Sequence, residues 1–274
     1  MLIRQPIAAN RFYPGDPNSL KSEITHYLQN DANNTAHEAK LWGAMLPHAG
    51  YIFCGSVIGK TLAGQALPHR LIILCPNHTG RGKILSVWPE GQWLTPLGAV
   101  LVDKSLSSEI IASSSLYEAD SLAHLGEHSI EVILPFLQMQ IADLSIVPIC
   151  VGIQNPKILA QAGAALAEVL KLPQNKNAGV IVSSDMNHYE DQQVTLLKDE
   201  HALKAALAAD PDQLLRTVSE EKISMCGAAP MALALYAAKH LSKVDVEFVA
   251  HDTSAKAARD DQHVVGYAGL RMYM

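Results

Sequence analysis

Three strand-like segments of this chain are each followed, within a few residues, by a histidine that could carry chemistry. His48 follows the apolar run 41–46, His78 follows the run 71–75, and His188 follows the run 180–183. Asp185 lies in the same loop as His188. Neutral imidazole is a common metal ligand and also carries protons near neutral pH. The four side chains therefore predict a site for a metal ion, for acid–base chemistry, or for both.

Turn-forming residues surround two of these histidines, in Pro47–Gly50 and Pro76–Gly80. Ligands of open α/β sheets bind beyond the carboxyl ends of the strands. If the three strands are parallel neighbours, their histidines and Asp185 meet at one rim. A single histidine at a strand end is more often a capping or surface residue, but three in matching context favour a site. The histidines without this context are interpreted as ordinary: His26, His37, His69, His201, His240 and His251.

A second cluster, Glu127-His128-Ser129, precedes the amphipathic run 130–140. Ser129 is a good helix N-cap, and an acidic residue suits the positive end of the helix dipole, so a helix start explains the cluster. The functional alternative places Glu127 or His128 at the rim, as a proton carrier or as a partner of a ligand. The residues alone favour the helix start.

Cys226 forms a third candidate, because it immediately precedes the apolar helical run 231–238. A thiol at a helix N-terminus feels the positive end of the dipole, which favours the thiolate, both a nucleophile and a soft metal ligand. The alternative is a small buried residue, with Gly227 permitting close packing. Two nearby histidines would strengthen the ligand interpretation, since two imidazoles and an anion can hold iron, copper or zinc.

The elements that must position these residues alternate between apolar strands and longer helical patterns. This order predicts an α/β sandwich with a central, mostly parallel or mixed sheet flanked by helices, and one domain over residues 1–274. The last two strands could pair as an antiparallel edge, and 30–40 reads as a polar loop. The predicted strands are Leu41–Leu46, Leu71–Cys75, Ile84–Val87, Gly98–Val102, Ser145–Val151, Gly179–Ser183, Val244–Ala250 and Val264–Arg271. The predicted helices are Ser19–Gln29, Gly55–Ala66, Ser105–Ser113, Ser129–Gln140, Pro156–Leu170, Val194–Ala208, Pro211–Val218 and Ala228–His240.

Composition excludes several classes of function. The net charge is −6 and no run of Lys or Arg stands out, which argues against a nucleic-acid surface. No apolar stretch reaches the roughly 18 residues that cross a bilayer, and four scattered cysteines suit a reduced, cytoplasmic protein. Phosphate-loop, dinucleotide and H-E-x-x-H motifs are absent from the sequence. The glycines of 55–59 are predicted to let a helix pack closely on the sheet.

Five motifs occur in an order that resembles one known family. They are PHAGYIFCGS (47–56), CPNHTG (75–80), GEHSIE (126–131), VSSDMNHY (182–189) and CGAAP (226–230), preceded by NRFYPGDP (10–17). Together they resemble the MEMO family, whose archaeal and bacterial members are called AmmeMemoRadiSam system protein B. The resemblance extends from about Ala9 to the C-terminus.

The resemblance implies a fold shared with class III extradiol dioxygenases, in which two histidines and a glutamate hold non-haem Fe(II) and a further histidine is the acid–base group. The matching positions here are His48, His78 and Cys226 as metal ligands and His188 as the acid–base residue, with Asp185 beside them. The departure is a cysteine at the glutamate position. Thiolate is a softer and stronger donor that can itself be oxidised.

Three functions follow as expectations. The first is dioxygenase-like oxidoreductase activity on an unidentified substrate, with Fe(II) bound, or alternatively copper or zinc, and with His188, Asp185, His128 and Glu127 as catalytic residues. The second is a non-catalytic module that holds a metal or a peptide on a dioxygenase-like fold. The third is zinc-dependent hydrolysis. The expected partner is a small molecule or a peptide, and the family's system name alone suggests a radical-SAM partner.

Overall fold

Strands and helices alternate along most of the chain in the computed structural model, which describes residues 2–29 and 41–274. The predicted polar loop at 30–40 lies outside the described residues. The strands are β1 (Ile3–Arg4), β2 (Leu41–Leu46), β3 (Arg70–Pro76), β4 (Leu85–Val87), β5 (Gln92–Thr95), β6 (Gly98–Val102), β7 (Glu118–Ala119), β8 (Ser145–Val151), β9 (Ala178–Ser183), β10 (His188–Glu190), β11 (Asp245–Thr253) and β12 (Val264–Tyr273). The helices are α1 (Pro17–Gln29), α2 (Tyr51–Leu62), α3 (Lys104–Ser113), α4 (Leu122–Leu125), α5 (Ser129–Gln140), α6 (Pro156–Lys171), α7 (Gln192–Leu207), α8 (Pro211–Glu220), α9 (Ala228–Leu241) and α10 (Ala255–Ala258), with a 3-10 turn at Pro173–Asn175.

The described strands form one 12-stranded mixed sheet whose middle is parallel. Its main path runs β1-β5-β6-β8-β3-β9-β2-β12-β10, with β11 paired to β12 and with β4 joined to β8. The five strands from β6 to β2 on this path are parallel. The predicted central sheet, mostly parallel or mixed and flanked by helices, is therefore confirmed.

Alternating residues of the central strands build two apolar layers, one on each face of the sheet. Along β3, Ile72 and Leu74 belong to one cluster, and Leu71, Ile73 and Cys75 belong to the other. Successive side chains of a strand point to opposite faces, so a strand apolar throughout is covered on both sides. Helices α3, α6 and α9 cover the first face, and α1, α2 and α5 cover the second.

The two helix starts predicted from a capping residue before a proline are confirmed, and the predicted start of α5 is not. The side chains of Asn155 and Asp210 accept hydrogen bonds from backbone amides of the first turns of α6 and α8, as their Asn-Pro and Asp-Pro pairs predict. The prediction of Ser129 as the N-cap of α5 is wrong. His128 occupies that position without a side-chain capping bond, and Ser129 is already helical.

The glycines of α2 pack against another helix rather than against the sheet. A Cβ on Gly59 would lie 2.4 Å from the backbone oxygen of Tyr27, and one on Gly55 would lie 2.4 Å from the Tyr27 ring. The predicted close approach is therefore real, but its partner is α1, and the expectation of a contact with the sheet is wrong. The helix also begins earlier than predicted, at Tyr51.

The last two strands pair antiparallel as predicted, although only β11 lies at the edge. Strand β12 pairs with β11 on one side and with β2 on the other. Four short strands, β1, β5, β7 and β10, escaped the sequence analysis because runs of two to four residues show no usable periodicity. Within the described residues, the search for a helix long and apolar enough to span a membrane found none.

Candidate metal centre

Three parallel strands lie side by side and place the predicted site residues at one rim of the sheet, the edge formed by the carboxyl ends of these strands. Strand β9 lies between β3 and β2 and is parallel to both. His78 lies just beyond the carboxyl end of β3, Asp185 just beyond that of β9, and His48 just beyond that of β2. The inference that these strands are parallel neighbours whose side chains converge is confirmed.

Cys226 reaches the same rim from the loop that precedes α9. This helix packs on β3 and β9 and is buried over almost its whole length, which places its first turn at the carboxyl ends of these strands. The Cys226 Sγ lies 3.5 Å from His48 Nε2. Donor atoms of His48, His78 and Cys226 all lie within 4.8 Å of one another, so this cluster could hold a metal ion.

His48 is buried and is held in one tautomer by Ser183. The Ser183 hydroxyl donates to the carbonyl of Ser129 at 2.8 Å, so it must accept from His48 Nδ1, which lies 2.7 Å away. The His48 proton therefore sits on Nδ1, and Nε2 presents its lone pair towards Cys226. Burial, and then the charges of His128 and His78, hold the pKa of His48 well below its usual range. A neutral imidazole is the form that binds metals.

His78 is oriented by the buried carboxylate of Glu127. Its Nδ1 lies 2.9 Å from Glu127 Oε1, and its backbone amide donates to Oε2 at 2.7 Å. Burial disfavours the imidazolium, but the hydrogen bond and charge of Glu127 outweigh this effect and raise the pKa of His78. Burial likewise opposes the Glu127 carboxylate, yet its bonds to His78 and Ser129 lower its pKa to about 2. A carboxylate on Nδ1 directs Nε2 of such a ring towards a metal.

The Cys226 thiol accepts a backbone hydrogen bond, and its surroundings still oppose ionisation. The amide of Asp185 donates to Cys226 Sγ at 3.2 Å. Burial, followed by the charge of Asp185, raises the pKa of Cys226. Burial therefore favours the thiol form in the metal-free protein, and the expected effect of the α9 dipole stays a prediction. A cation bound beside the sulfur reverses that balance.

Asp185 lies under the rim, with its side chain fixed by the chain around His48. Its Oδ1 accepts from the backbone amide of His48 at 2.8 Å, and its Oδ2 lies 4.0 Å from His48 Nε2. Burial raises the pKa of Asp185, against the lowering effect of the His48 amide. Asp185 can therefore carry a negative charge next to the cluster or hold a proton there.

His188 is held over the cavity by Ser224, a residue that the sequence analysis did not single out. Its Nδ1 lies 2.9 Å from the Ser224 carbonyl, which can only accept, so the ring proton is on Nδ1 and Nε2 is an acceptor. The His188 amide donates to Ser224 Oγ at 2.7 Å. Asn187 Oδ1 in turn accepts from the amide and hydroxyl of Ser224, each at 3.1 Å.

His128 completes a group of three imidazoles. The ring centroids of His48, His78 and His128 lie 5.4–5.6 Å apart, and Phe12 packs on His128 with centroids 4.7 Å apart. Burial lowers the pKa of His128. Helix α5 begins at this segment, and the Glu127 and His128 side chains approach the cluster, where the functional interpretation places them. Their roles stay predictions.

A cavity of about 660 Å³ opens beside the cluster. Glu127 lies behind His78 and does not line it, whereas the other predicted site residues do. The lining residues are His48, Ala49, Gly50, Phe53, His78, His128, Asp185, His188, Tyr189, Ser224, Cys226, Val265 and Tyr267. A lining of imidazoles, a thiol, a carboxyl and aromatic rings suits an organic ligand next to a metal.

Sequence reasoning named Glu127 as a possible partner of a ligand, but it missed the oxygen atoms that hold the rings of His48 and His188. Ser183 and Asn187 lie inside the motif VSSDMNHY, so their closeness to Asp185 and His188 was a usable signal. Ser224 lies 36 residues beyond His188, and no pattern in the sequence connects the two.

Comparisons with known proteins match one family along nearly the full chain. The profile of the family described as "Memo-like protein" matches residues 4–271. A "MEMO1 family protein" of Thermotoga neapolitana is 37% identical over 287 residues, covering 97% of this chain and 98% of the relative. Proteins with the same description are 35% identical in Sulfurisphaera tokodaii, covering 98% and 99%, and 33% identical in Methanothermobacter thermautotrophicus, covering 98% and 100%. The chain therefore belongs to the Memo-like, or MEMO1, protein family.

Proposed function

We propose that this protein binds a divalent transition metal through His48, His78 and Cys226 and uses it in oxidoreductase chemistry of the extradiol dioxygenase type. Fe(II) is the metal we propose, and copper or zinc would suit the same donors. The observation that carries the proposal is the convergence of three donor atoms within 4.8 Å. Orientation supports it, because Nδ1 of both rings is occupied by Ser183 and Glu127 and Nε2 is left free.

The remaining polar residues have roles that follow from their contacts. His188 presents an unprotonated Nε2 to the cavity and would accept a proton from a bound substrate. Asp185, at the base of the cavity, would balance the charge of the metal. Glu127 would act through His78, and His128 would border the substrate. Fe(II), when bound, would supply the redox chemistry. The aromatic rings that line the cavity favour a small aromatic substrate.

One observation favours a second candidate function, a non-catalytic metal-binding module. The third donor is a cysteine that is only partly exposed and accepts an amide hydrogen bond from Asp185. A soft thiolate donor retains Cu(I) or zinc strongly and is open to oxidation during turnover. Storage or transfer of a metal would use the same three ligands and would need no contribution from His188.

Metal binding is tested by anaerobic titration of the metal-free protein with Fe(II). His48→Ala, His78→Ala and Cys226→Ser should each weaken binding by more than about 100-fold, since loss of an outer hydrogen-bond partner alone costs about 10–100-fold. His69→Ala is the matched control, because His69 is exposed at the opposite end of β3. Unchanged affinity in all three ligand variants would disprove the proposed centre.

Catalysis is tested separately by oxygen uptake with a panel of catechols. His188→Ala should keep the Fe(II) affinity of the unmodified protein and lose turnover, because its ring lines the cavity without belonging to the ligand group. Stoichiometric metal binding without oxygen uptake across the panel would select the non-catalytic module instead.

A further inference from the structure

A second cavity, of about 710 Å³, adjoins the metal centre from the side of α8. We call it the α8 cavity, and its lining residues include Leu215, Arg216, Val218, Lys222 and Met225. Ser224 and Cys226 line this cavity as well as the one beside the histidines. The proposed thiol ligand and the residue that holds His188 therefore form a wall shared by two cavities.

Two cations of the α8 cavity are not neutralised by neighbours. Within the described ranges, no hydrogen bond or ion pair engages the side chain of Arg216 or that of Lys222. The one acidic residue of the lining, Asp212, accepts a hydrogen bond from the Tyr236 hydroxyl at 2.6 Å. The whole chain has a net charge of −6, so most of its surface repels anions. The two unpaired cations of this cavity therefore form a local region that attracts anions.

About half of the cavity lining is apolar. Leu215 and Val218 of α8 contribute to it together with Ile223 and Met225 of the following loop. A volume of this size, lined by both apolar and polar groups, falls in the range of sites for small organic molecules. Guanidinium and ammonium groups bind carboxylate and phosphate oxygens, the guanidinium in a bidentate manner.

We propose that the α8 cavity binds the anionic group of an amphipathic small molecule and places that molecule against the Cys226 thiol. The binding group is a carboxylate or a phosphate ester, whose charged oxygens meet Arg216 and Lys222. The assignment of this molecule as substrate rests on the proposed function, because its reactive end would then lie at the metal. The substrate class narrows accordingly to small anionic molecules with an apolar body.

Alkylation of Cys226 in the metal-free protein tests this proposal. Iodoacetate and iodoacetamide transfer nearly isosteric groups, but only iodoacetate carries a negative charge. In both reactions the thiolate sulfur forms a bond to the methylene carbon as the carbon–iodine bond breaks and iodide leaves. Cys54, Cys75 and Cys150 are buried, so Cys226 is the accessible thiol, and mass spectrometry of its peptide gives each rate.

Arg216→Ala/Lys222→Ala should lower the ratio of the iodoacetate rate to the iodoacetamide rate about fourfold at low ionic strength, the factor that two unit charges produce in water at a separation of about 10 Å. Dividing by the iodoacetamide rate cancels the effect that the lost charges have on ionisation of the thiol. The difference should fade near 1 M salt, where the screening length is about 3 Å.

The matched control is Lys176→Ala/Lys243→Ala, which removes the same charge beyond the far end of α9. That helix has 14 residues, so its ends lie about 21 Å apart. The control should leave both rates unchanged. An equal fall of this ratio in the control, or an unchanged ratio in the first double variant, would overturn the proposal.

Failure of this proposal and failure of the proposed function give different results. Charge-dependent alkylation with no Fe(II) binding would support the anion site and disprove the proposed metal chemistry. Fe(II) binding that needs His48, His78 and Cys226, with no charge effect on alkylation, would leave the metal centre and remove the anion site.

Discussion

At the residue scale, three histidines of the centre each have one ring nitrogen held by an oxygen. Ser183 holds His48, Glu127 holds His78, and the Ser224 carbonyl holds His188. In each ring this fixes the proton on Nδ1 and leaves Nε2 as the atom available for chemistry. The carboxylate of Glu127 raises the pKa of His78, whereas burial lowers the pKa of His48, so a proton competes with a metal more strongly at His78 than at His48.

His124 is a buried histidine outside the centre, and its environment gives a pH-dependent stability. Its Nε2 lies 2.9 Å from the Ser86 carbonyl, its Nδ1 has no partner among the described residues, and its ring packs edge-on against Trp88 and Trp93. Burial lowers the pKa of His124 to about 4, although the bond to Ser86 acts in the opposite direction. The folded protein therefore keeps this ring neutral well below pH 6.

We predict that His124 makes the metal-free protein lose stability as the pH falls from about 6.5 to about 4. In this pH range the unfolded chain binds a proton at His124 and the folded chain does not. The free energy of unfolding therefore decreases, and His124 accounts for about 3 kcal/mol of this decrease. His124→Phe keeps an aromatic ring and removes the titration. Urea unfolding at pH 7 and pH 5 should show a smaller loss in the variant, and an identical loss would contradict the prediction.

At the element scale, the site depends on two long elements whose ends meet. Strand β9 lies between β3 and β2, and α9 lies across β3 and β9 with its first turn at their carboxyl ends. The apolar residues of α9, from Ala228 to Ala238, are buried. A helix buried all round is fixed in position by packing on every side. Its N-terminal loop therefore holds Cys226 in place.

The contact between α1 and α2 gives a test of packing behind the rim. We predict that Gly59→Ala lowers the free energy of unfolding by about 1 kcal/mol. A Cβ would meet the Tyr27 backbone oxygen, and the overpacking cost of about 1–3 kcal/mol is offset in part by a gain in helix propensity of about 1 kcal/mol.

Ser56→Ala is the control for this change, because Ser56 is exposed on the same helix. It should leave stability within about 0.5 kcal/mol, and urea midpoints at constant slope report both variants. Unchanged or increased stability in Gly59→Ala would mean that α1 and α2 can separate without cost.

At the scale of the whole molecule, the N-terminal segment is tied to the layer behind the centre by a buried ion pair. Arg4 donates to Glu131 Oε2 at 2.6 Å and to the carbonyls of His124 and Glu127. Glu131 also accepts from the Ala8 amide at 2.8 Å and the Tyr13 hydroxyl at 2.7 Å. Both charged side chains are almost completely buried, so each depends on the other for compensation.

We predict that Arg4→Met destabilises the protein by about 3–5 kcal/mol, because the Glu131 charge then remains buried without its cation. Arg4→Met/Glu131→Gln should recover part of this loss. Lys104→Met breaks the exposed pair with Glu90 and should lower the stability far less, because solvent screens exposed charges. Thermal or urea unfolding measures the stability of each variant. Equal effects of Arg4→Met and Lys104→Met would show that the buried pair contributes no more than an exposed one.

The sequence by itself determined the long elements, the sheet class and most of the residues at the rim. Continuous apolar runs predict strands covered on both faces, and the breaks after them place His48, His78 and Asp185 at strand ends. These signals are local, since each depends only on neighbouring residues. The helix start at Asn155-Pro156 could be predicted for the same reason.

The tertiary structure alone decided which of these residues meet. Periodicity shows which face of a strand is buried, but it carries no information on which strand lies beside it, so the order β3-β9-β2 had to come from the fold. Cys226 lies 178 residues from His48 in the chain, and Ser224 supports His188 across 36 residues. Their contacts arise because packing of the buried α9 on the sheet sets where its preceding loop lies, and no local pattern encodes that placement.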